Sequence, residues 1–489
     1  MRPVALGPVH REPVIFERSR TGRRGMKISE VPSWFAPKVP QHLARKVPAR
    51  LPEVTENDVV RHFIRLSRQN YAVDVGMYPL GSCTMKYNPK VNEAAARLEG
   101  FAGLHPLTDP SLVQGALQLM YELEQYLAEI GGFKAVTLVP AAGAHGEYTG
   151  LRIIRAALKK RGEKRGKILV TDTAHGTNPA SSVLNGFKAV EVKSGPDGIL
   201  EPEAVARLMD QDTAGLMITN PNTLGLFERN LREVAAIVHE KGGYVYGDGA
   251  NLNALMGKVK PADLGIDVMH YNLHKTFSTP HGGGGPGSGP VGVTGELEPF
   301  LPIPRVVRLE DGTFDIKEDL PDSIGRVIGF HGHFLVMVKA YAYIRTMGPE
   351  GLKRAAELAV LNANYLRVML QDTFHLPYPH KCMHEVVFTD KKQRAKGVTT
   401  LDIAKRLLDY GIHAPTVFFP LVVKHAIMIE PTETEPKEAL DEFILAMKEI
   451  AREVEENPEL VKRAPTRTFI GRPDEVTAAR HPVLVHPLD

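Results

Sequence analysis

Between residues 134 and 294, short apolar runs alternate with segments that have the spacing of an amphipathic helix. In segment 147–161, for example, Leu151, Ile154 and Leu158 fall on one helical face. The predicted strands are 135–139, 167–171, 189–192, 215–219, 244–247, 267–271 and 291–294, and the predicted helices are 147–161, 201–209 and 231–240. Strands that alternate with helices form a mostly parallel sheet that is covered on both faces. We therefore predict an α/β fold that binds its ligand at the carboxyl ends of the strands.

The regions on either side of this pattern have a different texture. Residues 1–75 contain recurrent prolines and one predicted helix, at 56–69, which indicates an extended arm lying on another domain or subunit. Beyond residue 333, long helical segments surround two short apolar runs, at 384–389 and 426–429. The expected organisation is an N-terminal arm (1–75), a large domain (76–333), a smaller α+β domain (334–455) and a C-terminal tail (456–489).

The charge balance argues against two classes of partner. The chain has 489 residues with 60 Lys and Arg against 57 Asp and Glu, a formal net charge of +3. Nothing in this balance favours nucleic acid or an anionic membrane. No stretch of about 18 apolar residues is present, and the N-terminal residues lack the apolar segment of a signal peptide. Two cysteines in so long a chain are typical of a reducing compartment, so we expect a cytoplasmic enzyme.

Two charged residues follow predicted strands. Lys275 lies in NLHKTF after strand 267–271, and Asp248 lies in GDGAN after strand 244–247. A lysine amine can hold pyridoxal phosphate (PLP) as a Schiff base, or aldimine, and a carboxylate keeps the pyridine nitrogen of PLP protonated. Taken singly, a surface lysine and a capping aspartate explain these residues better. Together with the features below, they predict an enzyme that acts on an amino acid through PLP, with Lys275 as the catalytic residue.

Further segments supply candidate cofactor contacts. Residues 140–147 (PAAGAHGE) follow the first strand and open a helix, where backbone N–H groups can approach a phosphate. His175 offers a flat ring to stack on the cofactor, and Asn222 an amide to reach its phenolic oxygen. An ordinary turn, a loop histidine and turn chemistry are the alternative explanations. The cofactor-binding candidates are Gly143, Ala144, His145, His175, Asn222, Ala250 and His274, besides Asp248 and Lys275.

The glycine run 282–289 contains the spacing GxGxxG, which is typical of dinucleotide sites. Pro286 and Pro290 prevent a helix from opening there, so we do not predict a dinucleotide site. A mobile loop that closes on the cofactor, or reaches a neighbouring subunit's site, fits the composition better. No metal is predicted, because the histidine pairs of the chain have no matching acidic or cysteine set.

Motifs between about residues 76 and 435 resemble the decarboxylating glycine dehydrogenases, the P-proteins of the glycine cleavage system. They are MYPLGSCTMKYNP, HGEYTGL, TDTAHGTNPAS, TNPNTLGLFE, DGANLNA, NLHKTFSTPHGGGGPGSGP, DYGIHAPT and IEPTETE. The chain is similar to the lysine-bearing C-terminal half of single-chain members, equivalent to subunit 2 of two-subunit forms. The resemblance implies an aspartate-aminotransferase-like fold (fold type I). Ala141, Ala142 and His145 stand where the family commonly has asparagine, serine and glutamine, which leaves the phosphate to backbone groups.

The resemblance also implies a reaction and partners. Glycine would displace Lys275 from PLP, lose its carboxylate as CO2 and pass its aminomethyl group to the lipoyl arm of the H-protein. Ser82, Cys83 and Thr84, in the GSCTMK motif, are candidates to line the channel for that arm. A homologous subunit 1 would complete a heterotetramer with two copies of each chain. The alternatives are another PLP enzyme of this fold, such as an aminotransferase or a lyase, and a catalytically silent subunit that binds partners.

Overall fold

A computed structural model describes the chain except residues 1–11, 27–28, 30–31, 33, 35–38, 48, 283–284, 286 and 486–489. The chain divides into two compact units. Unit 1 comprises Met1–Ala72, Leu408–Gly411 and Arg463–Asp489, and unit 2 comprises Val73–Leu407 and Ile412–Lys462. The boundaries at residues 76, 334 and 456 stay predictions. Among the described residues, no helix combines the length and the apolar character needed to cross a membrane.

A seven-stranded sheet lies in the described part of unit 2, in the order β1-β7-β6-β5-β4-β2-β3. The strands are β1 (Ala135–Thr137), β2 (Lys167–Thr171), β3 (Lys188–Val192), β4 (Thr213–Thr219), β5 (Tyr244–Gly249), β6 (Val268–Tyr271) and β7 (Val291–Val293). Strands β2 to β6 pair in parallel, whereas β7 is antiparallel to both β1 and β6. The predicted α/β fold is confirmed, and each predicted strand of this region overlaps an observed one.

Helices follow the strands as the sequence pattern predicts, and the structure also contains several helices that the pattern did not predict. Helix α4 is the longest of the unpredicted ones, and α10 is kinked at Gly348, where φ is 61°. The described α-helices are α1 (Glu56–Ser67), α2 (Lys90–Ala96), α3 (Glu99–Ala102), α4 (Gln114–Gly131), α5 (Gly143–Lys160), α6 (Thr177–Leu184), α7 (Pro202–Leu208), α8 (Leu231–Glu240), α9 (Leu273–Thr276), α10 (Phe334–Leu370), α11 (Lys391–Arg394), α12 (Thr400–Asp409), α13 (Lys437–Glu456), α14 (Pro458–Lys462) and α15 (Glu475–Arg480).

Two hydrophobic clusters cover the two faces of the sheet. Successive side chains of a strand point to opposite faces, so Val245 joins one cluster and Tyr246 the other. Leu123 of α4 packs in the first cluster, and Leu151 of α5 packs in the second. Because both faces of this sheet are buried, its polar side chains gather at the strand ends. The sheet therefore presents its carboxyl edge as the place for chemistry.

A second, three-stranded antiparallel sheet has the order β10-β12-β11. It contains β10 (Val386–Thr389), β11 (Thr416–Val417) and β12 (Ala426–Ile429), and a separate hairpin pairs β8 (Arg305–Arg308) with β9 (Phe314–Lys317). In the second sheet Val386 lies opposite Ile429. A bridge from Leu80 to Ile429 brings the GSCTMK motif alongside β12. Strands β10 and β12 were predicted, but β8, β9 and β11 were not.

Candidate active site

The carboxyl ends of the parallel strands open onto a cavity of about 210 Å³. The side chains that line it come from segments far apart in sequence, which the sheet brings to one edge. Of the twelve predicted site residues, eight line this cavity, namely Ser82, Gly143, Ala144, His175, Asp248, Ala250, His274 and Lys275. The remaining four, His145, Asn222, Cys83 and Thr84, are not among its lining residues.

Lys275 stands in the cavity wall on α9, a single turn that follows β6. Its backbone N–H donates to Asn272 O at 3.0 Å, which closes that turn. Its Nζ donates to the carbonyl oxygen of Ser82 at 2.9 Å. The amine therefore points away from α9 toward the GSCTMK segment. Its end lies beside the cavity in which a ligand would meet it.

Asp248 lies near the end of β5 and is 4% exposed. Its Oδ1 accepts the Ala250 N–H at 2.9 Å, and its Oδ2 accepts the Asn178 amide at 3.1 Å. Burial acts to raise the pKa of Asp248, but His270, the Ala250 N–H and Lys275 outweigh burial and hold the pKa below its ordinary value. The carboxylate is thus kept charged in a buried position. Such a group can keep a pyridine nitrogen protonated.

Glu147 on α5 is a cavity residue that sequence reasoning missed. Its two carboxylate oxygens accept hydrogen bonds from Thr177 Oγ1 (2.6 Å) and Ser181 Oγ (3.0 Å). Burial and the charge of Asp248 raise the pKa of Glu147 to about 7. One ligand atom each of Glu147, Asp248 and His270 lies within 4.8 Å of the others. Because hydroxyl and amide donors already satisfy the two carboxylates, a hydrogen-bond network explains this cluster without a metal.

His175 connects to the same network. Its Nδ1 lies 2.9 Å from Thr177 Oγ1, the hydroxyl that donates to Glu147. Burial lowers the pKa of His175, and the nearby Asp248 only partly opposes this effect. The imidazole is therefore neutral near pH 7. A neutral, flat ring at the cavity suits stacking on an aromatic cofactor.

The start of α5 meets β6 at close range. A Cβ added at Gly143 would collide with Asn272 Oδ1, and one at Gly146 would lie 2.7 Å from His270 Cβ. Glycine is thus required for the first turn to approach the cavity. The first N–H groups of a helix have no intrahelical partner and favour an anion. His145 itself turns away, since its Nδ1 accepts from Ala141 N and its Nε2 lies 3.1 Å from Val327 O.

Asn222 is not brought to the cavity. Its Nδ2 donates to Gly198 O and Glu228 Oε1, and its Oδ1 accepts from two backbone N–H groups of its own turn. The turn chemistry of asparagine therefore uses the whole side chain. Thr223 lines the cavity instead, and its Oγ1 donates to Thr173 O at 2.5 Å.

The structure describes part of the glycine run 282–289. Residues 283, 284 and 286, on which the prediction of a closing loop depends, lie outside the described residues. Within the described part, Gly289 N donates to Pro140 O at 2.9 Å, and Ser288 N lies 3.3 Å from His274 Nδ1. Burial and the nearby Lys275 lower the pKa of His274 to about 3. Its ring is consequently neutral and able to accept the Ser288 N–H.

The cavity fits pyridoxal phosphate. It offers a lysine amine, a charged buried carboxylate, a neutral imidazole and the N–H groups of a helix start, which are the groups this cofactor requires. Thr219 Oγ1 and Asn251 Oδ1 also face it, and neither buried atom has a hydrogen-bond partner within the described chain. A polar ligand in the cavity would satisfy these two atoms.

Comparison with solved structures supports the prediction of fold type I. A crystal structure of glycine decarboxylase (P-protein) of the glycine cleavage system, in inhibitor-bound form, superposes with a TM-score of 0.72 at 21% identity, covering 84% of this chain and 93% of that one. The cysteine desulfurase CsdA from Escherichia coli gives 0.59 at 15%, covering 80% and 98%. A family model described as aminotransferase class-V matches residues 144–284. The chain has the fold-type-I architecture of PLP-dependent enzymes.

Sequence comparison is more specific. The probable glycine dehydrogenase (decarboxylating) subunit 2 of Chlorobium chlorochromatii is 56% identical over 96% of this chain and 98% of its own length. That of Oceanobacillus iheyensis is 55% identical over 97% and 99%. A family model described as glycine dehydrogenase, C-terminal domain, matches residues 355–466. The chain belongs to the glycine dehydrogenase (decarboxylating) subunit 2 family, which confirms the resemblance recognised in its motifs.

Proposed function

We propose that this chain decarboxylates glycine and transfers the remaining aminomethyl group to the lipoyl arm of an H-protein, with a cofactor bound covalently to Lys275. The observation that carries this proposal is the meeting of Lys275 and the charged Asp248 at one cavity, in a chain so similar to glycine dehydrogenase subunit 2. A catalytically silent subunit would have no reason to keep both groups.

The residues divide the work as follows. Bound pyridoxal phosphate supplies an electron-accepting ring for the electron pair that CO2 leaves behind. Asp248 would hold the proton on the ring nitrogen, since it stays charged although buried. The neutral His175 would stack on the ring, and the N–H groups of Gly143 and Ala144 would bind the phosphate. Lys275 Nζ would hold the cofactor, and once the amine of glycine has displaced it, the free amine would take up or give a proton.

The partners belong to the proposal as well. Relatives named subunit 2 imply a second subunit, and we propose a heterotetramer with two copies of each chain. The lipoyl arm has to reach the cavity beside Lys275. Ser82 lines that cavity and is contacted by Lys275, which supports the segment 82–84 as part of the path.

The test uses the protein co-purified with its partner subunit. Release of labelled CO2 from carboxyl-labelled glycine is measured with and without lipoylated H-protein. We expect turnover that depends on H-protein, and a loss of about 10³-fold or more in Lys275→Ala, because the group that binds and moves the proton is gone. Lys258→Ala is the matched control, since Lys258 pairs with Glu357 and does not line the cavity.

Borohydride reduction followed by peptide mapping locates the cofactor independently. Attachment to Lys275 is expected, and attachment to another lysine would contradict the assignment. Amino-group transfer from glycine to a 2-oxo acid without H-protein would favour an aminotransferase instead.

A further inference from the structure

Two fully buried glutamates lie next to the active site and take no part in the chemistry described above. Glu385 precedes β10 and Glu430 follows β12. Because Val386 lies opposite Ile429, the two glutamates extend the antiparallel ladder as opposite neighbours. Both have no exposed surface. One oxygen of each lies within 4.8 Å of the other and of a ring nitrogen of His384.

The two carboxylates hold the backbone of the GSCTMK segment. Glu385 Oε2 accepts the Ser82 N–H at 2.8 Å, and Glu430 Oε2 accepts the Thr84 N–H at 2.9 Å. Ser82 and Thr84 have φ angles of 62° and 47°, in the left-handed region that non-glycine residues rarely adopt. Side-chain acceptors for both N–H groups offset this backbone strain. The carbonyl oxygen of Ser82 in turn accepts the hydrogen bond of Lys275 Nζ.

The surroundings allow the pair one negative charge. Burial, with the neighbouring carboxylate as the second cause, raises the pKa of Glu385 well above its ordinary value. Burial also raises the pKa of Glu430 to about 7, although the Thr84 contacts and Lys275 oppose it. Like charges placed opposite each other in a ladder are unfavourable, so the pair retains a proton.

Other charged groups around the pair do not neutralise it. Burial and Lys275 lower the pKa of His384 to about 3, so its ring is neutral. Glu433 is paired with the buried Lys86, whose Nζ lies 2.6 Å away. The thiol of Cys83 also faces the pair, and its pKa is raised by burial, with Lys275 opposing and both glutamates contributing. Among the described residues, Lys275 is therefore the cation that acts on both glutamates and balances the remaining charge.

A bound metal explains the cluster less well. One oxygen of each glutamate already accepts a backbone N–H, and the Lys275 amine acts electrostatically on all three residues of the cluster. A second cation beside that amine would be repelled in a buried site. The second oxygens, Glu385 Oε1 and Glu430 Oε1, have no hydrogen-bond partner within the described chain. A shared proton satisfies one of these oxygens without any further ion.

We propose that Glu385 and Glu430 are positioning residues for Lys275, which hold the Ser82–Thr84 backbone against its amine and place one shared negative charge beside its nitrogen. The inference rests on the proposed function, in that Lys275 is taken to carry the cofactor. The backbone contact fixes the direction of the amine, and the shared charge attracts positive charge at that nitrogen. Neither glutamate touches the cavity itself.

The first test is an absorbance titration of the holoenzyme with its partner subunit. The single variants Glu385→Gln and Glu430→Gln each leave the other carboxylate to carry the one shared charge, whereas the double variant Glu385→Gln/Glu430→Gln removes it. Glutamine keeps an oxygen for each backbone N–H. We expect the pH midpoint of the chromophore at Lys275 to fall by about one unit or more in the double variant. It should stay near the wild-type value in the single variants and in Glu124→Gln, a control that removes another buried carboxyl of raised pKa, on which Arg305 rather than Lys275 acts.

A second test needs no cofactor. The rate of Cys83 alkylation is followed against pH in the cofactor-free protein, where Cys382 stays unreactive because burial raises the pKa of its thiol to about 12. Loss of the shared negative charge should lower the Cys83 midpoint in the double variant and leave it near the wild-type value in the single variants. Circular dichroism checks folding, and if the double variant does not fold, Glu385→Gln/Glu430→Leu takes its place.

The outcomes separate the two proposals. A fall of both midpoints in the double variant supports the inference. A chromophore midpoint that stays in place in the double variant overturns it, whether the Cys83 midpoint moves or not, because the charge would then not act on Lys275. If borohydride attaches no cofactor to Lys275 in the wild type, the proposed function itself fails, and this is seen before any variant is compared.

Discussion

Asp248 and the pair Glu385–Glu430 influence the same lysine, and all three carboxyl groups are buried. Their protonation nevertheless differs. The pKa of Asp248 is held below its ordinary value, whereas the pKa of each glutamate is raised. Burial acts in the same direction on all three, so burial alone does not set the charge of a group in this protein.

The partners make the difference. Asp248 has two donors, Ala250 N–H and Asn178 Nδ2, and a histidine at 3.4 Å. Each glutamate has one backbone donor and faces another carboxyl group. Asp248 thus has the fixed charge that the proposed function needs beside a ring nitrogen, and the glutamate pair has the titratable charge that the proposed positioning of Lys275 needs.

Replacing the fixed charge should have the largest effect. Asp248→Asn keeps the shape of the side chain but removes the charge, so we expect kcat for CO2 release to fall by about 10²- to 10⁴-fold. Asp172→Asn is the control, since Asp172 follows β2 at the same edge but accepts from Ser194 and does not line the cavity. Equal activity of the two variants would contradict a special role for the charge of Asp248.

A fourth buried acid, Glu124, extends the comparison to a site away from Lys275. Burial raises the pKa of Glu124 to about 8, with only Arg305 opposing. The folded chain therefore keeps a proton that the unfolded chain releases above its pKa of about 4.5. Stability is full below that value and falls as the pH rises toward about 8, by roughly 3 kcal/mol in total between pH 5 and pH 8.

Thermal unfolding of wild type and Glu124→Gln at several pH values measures this effect. The melting temperature of the variant minus that of the wild type should increase as the pH rises. Glu122→Gln on the same helix should show no such gain, because hydrogen bonds from Tyr341 and Gln118 lower the pKa of Glu122. A constant difference for Glu124→Gln would show that burial does not keep its proton.

The smallest effect is expected where the glutamate pair meets the backbone. A Cβ on Gly81 would collide with the Met428 side chain and lie 2.9 Å from Met428 O. Gly81→Ala should therefore push the GSCTMK segment off β12 and cost about 1–3 kcal/mol of stability. Gly100→Ala is the control, because nothing lies within 4 Å of its added Cβ. Thermal unfolding compares the two, and equal melting temperatures would contradict the close approach.

Much of the sheet and of its functional edge could be predicted from the sequence. Periodicity located the strands that end before His175, Asp248 and Lys275, and parallel strands bring such ends together. Glu147 was missed, because it lies within a helix where glutamate is ordinary. What identifies Glu147 as a site residue is its contact with Thr177 and Ser181 of a neighbouring helix, which only the tertiary structure shows.

The sequence by itself determined the α/β pattern, the pair of a lysine and an aspartate, and the family motifs, since these depend on local spacing and residue type. Only the tertiary structure decided which polar groups stay charged. Asn222 follows a strand, yet its side chain bonds to its own loop. Glu385 and Glu430 are 45 residues apart in sequence and lie opposite each other across two strands. Ser82, whose N–H donates to Glu385, is more than 300 residues away from it in sequence. The charge of a buried group depends on its neighbours in space, and those neighbours come from parts of the chain that sequence proximity does not connect.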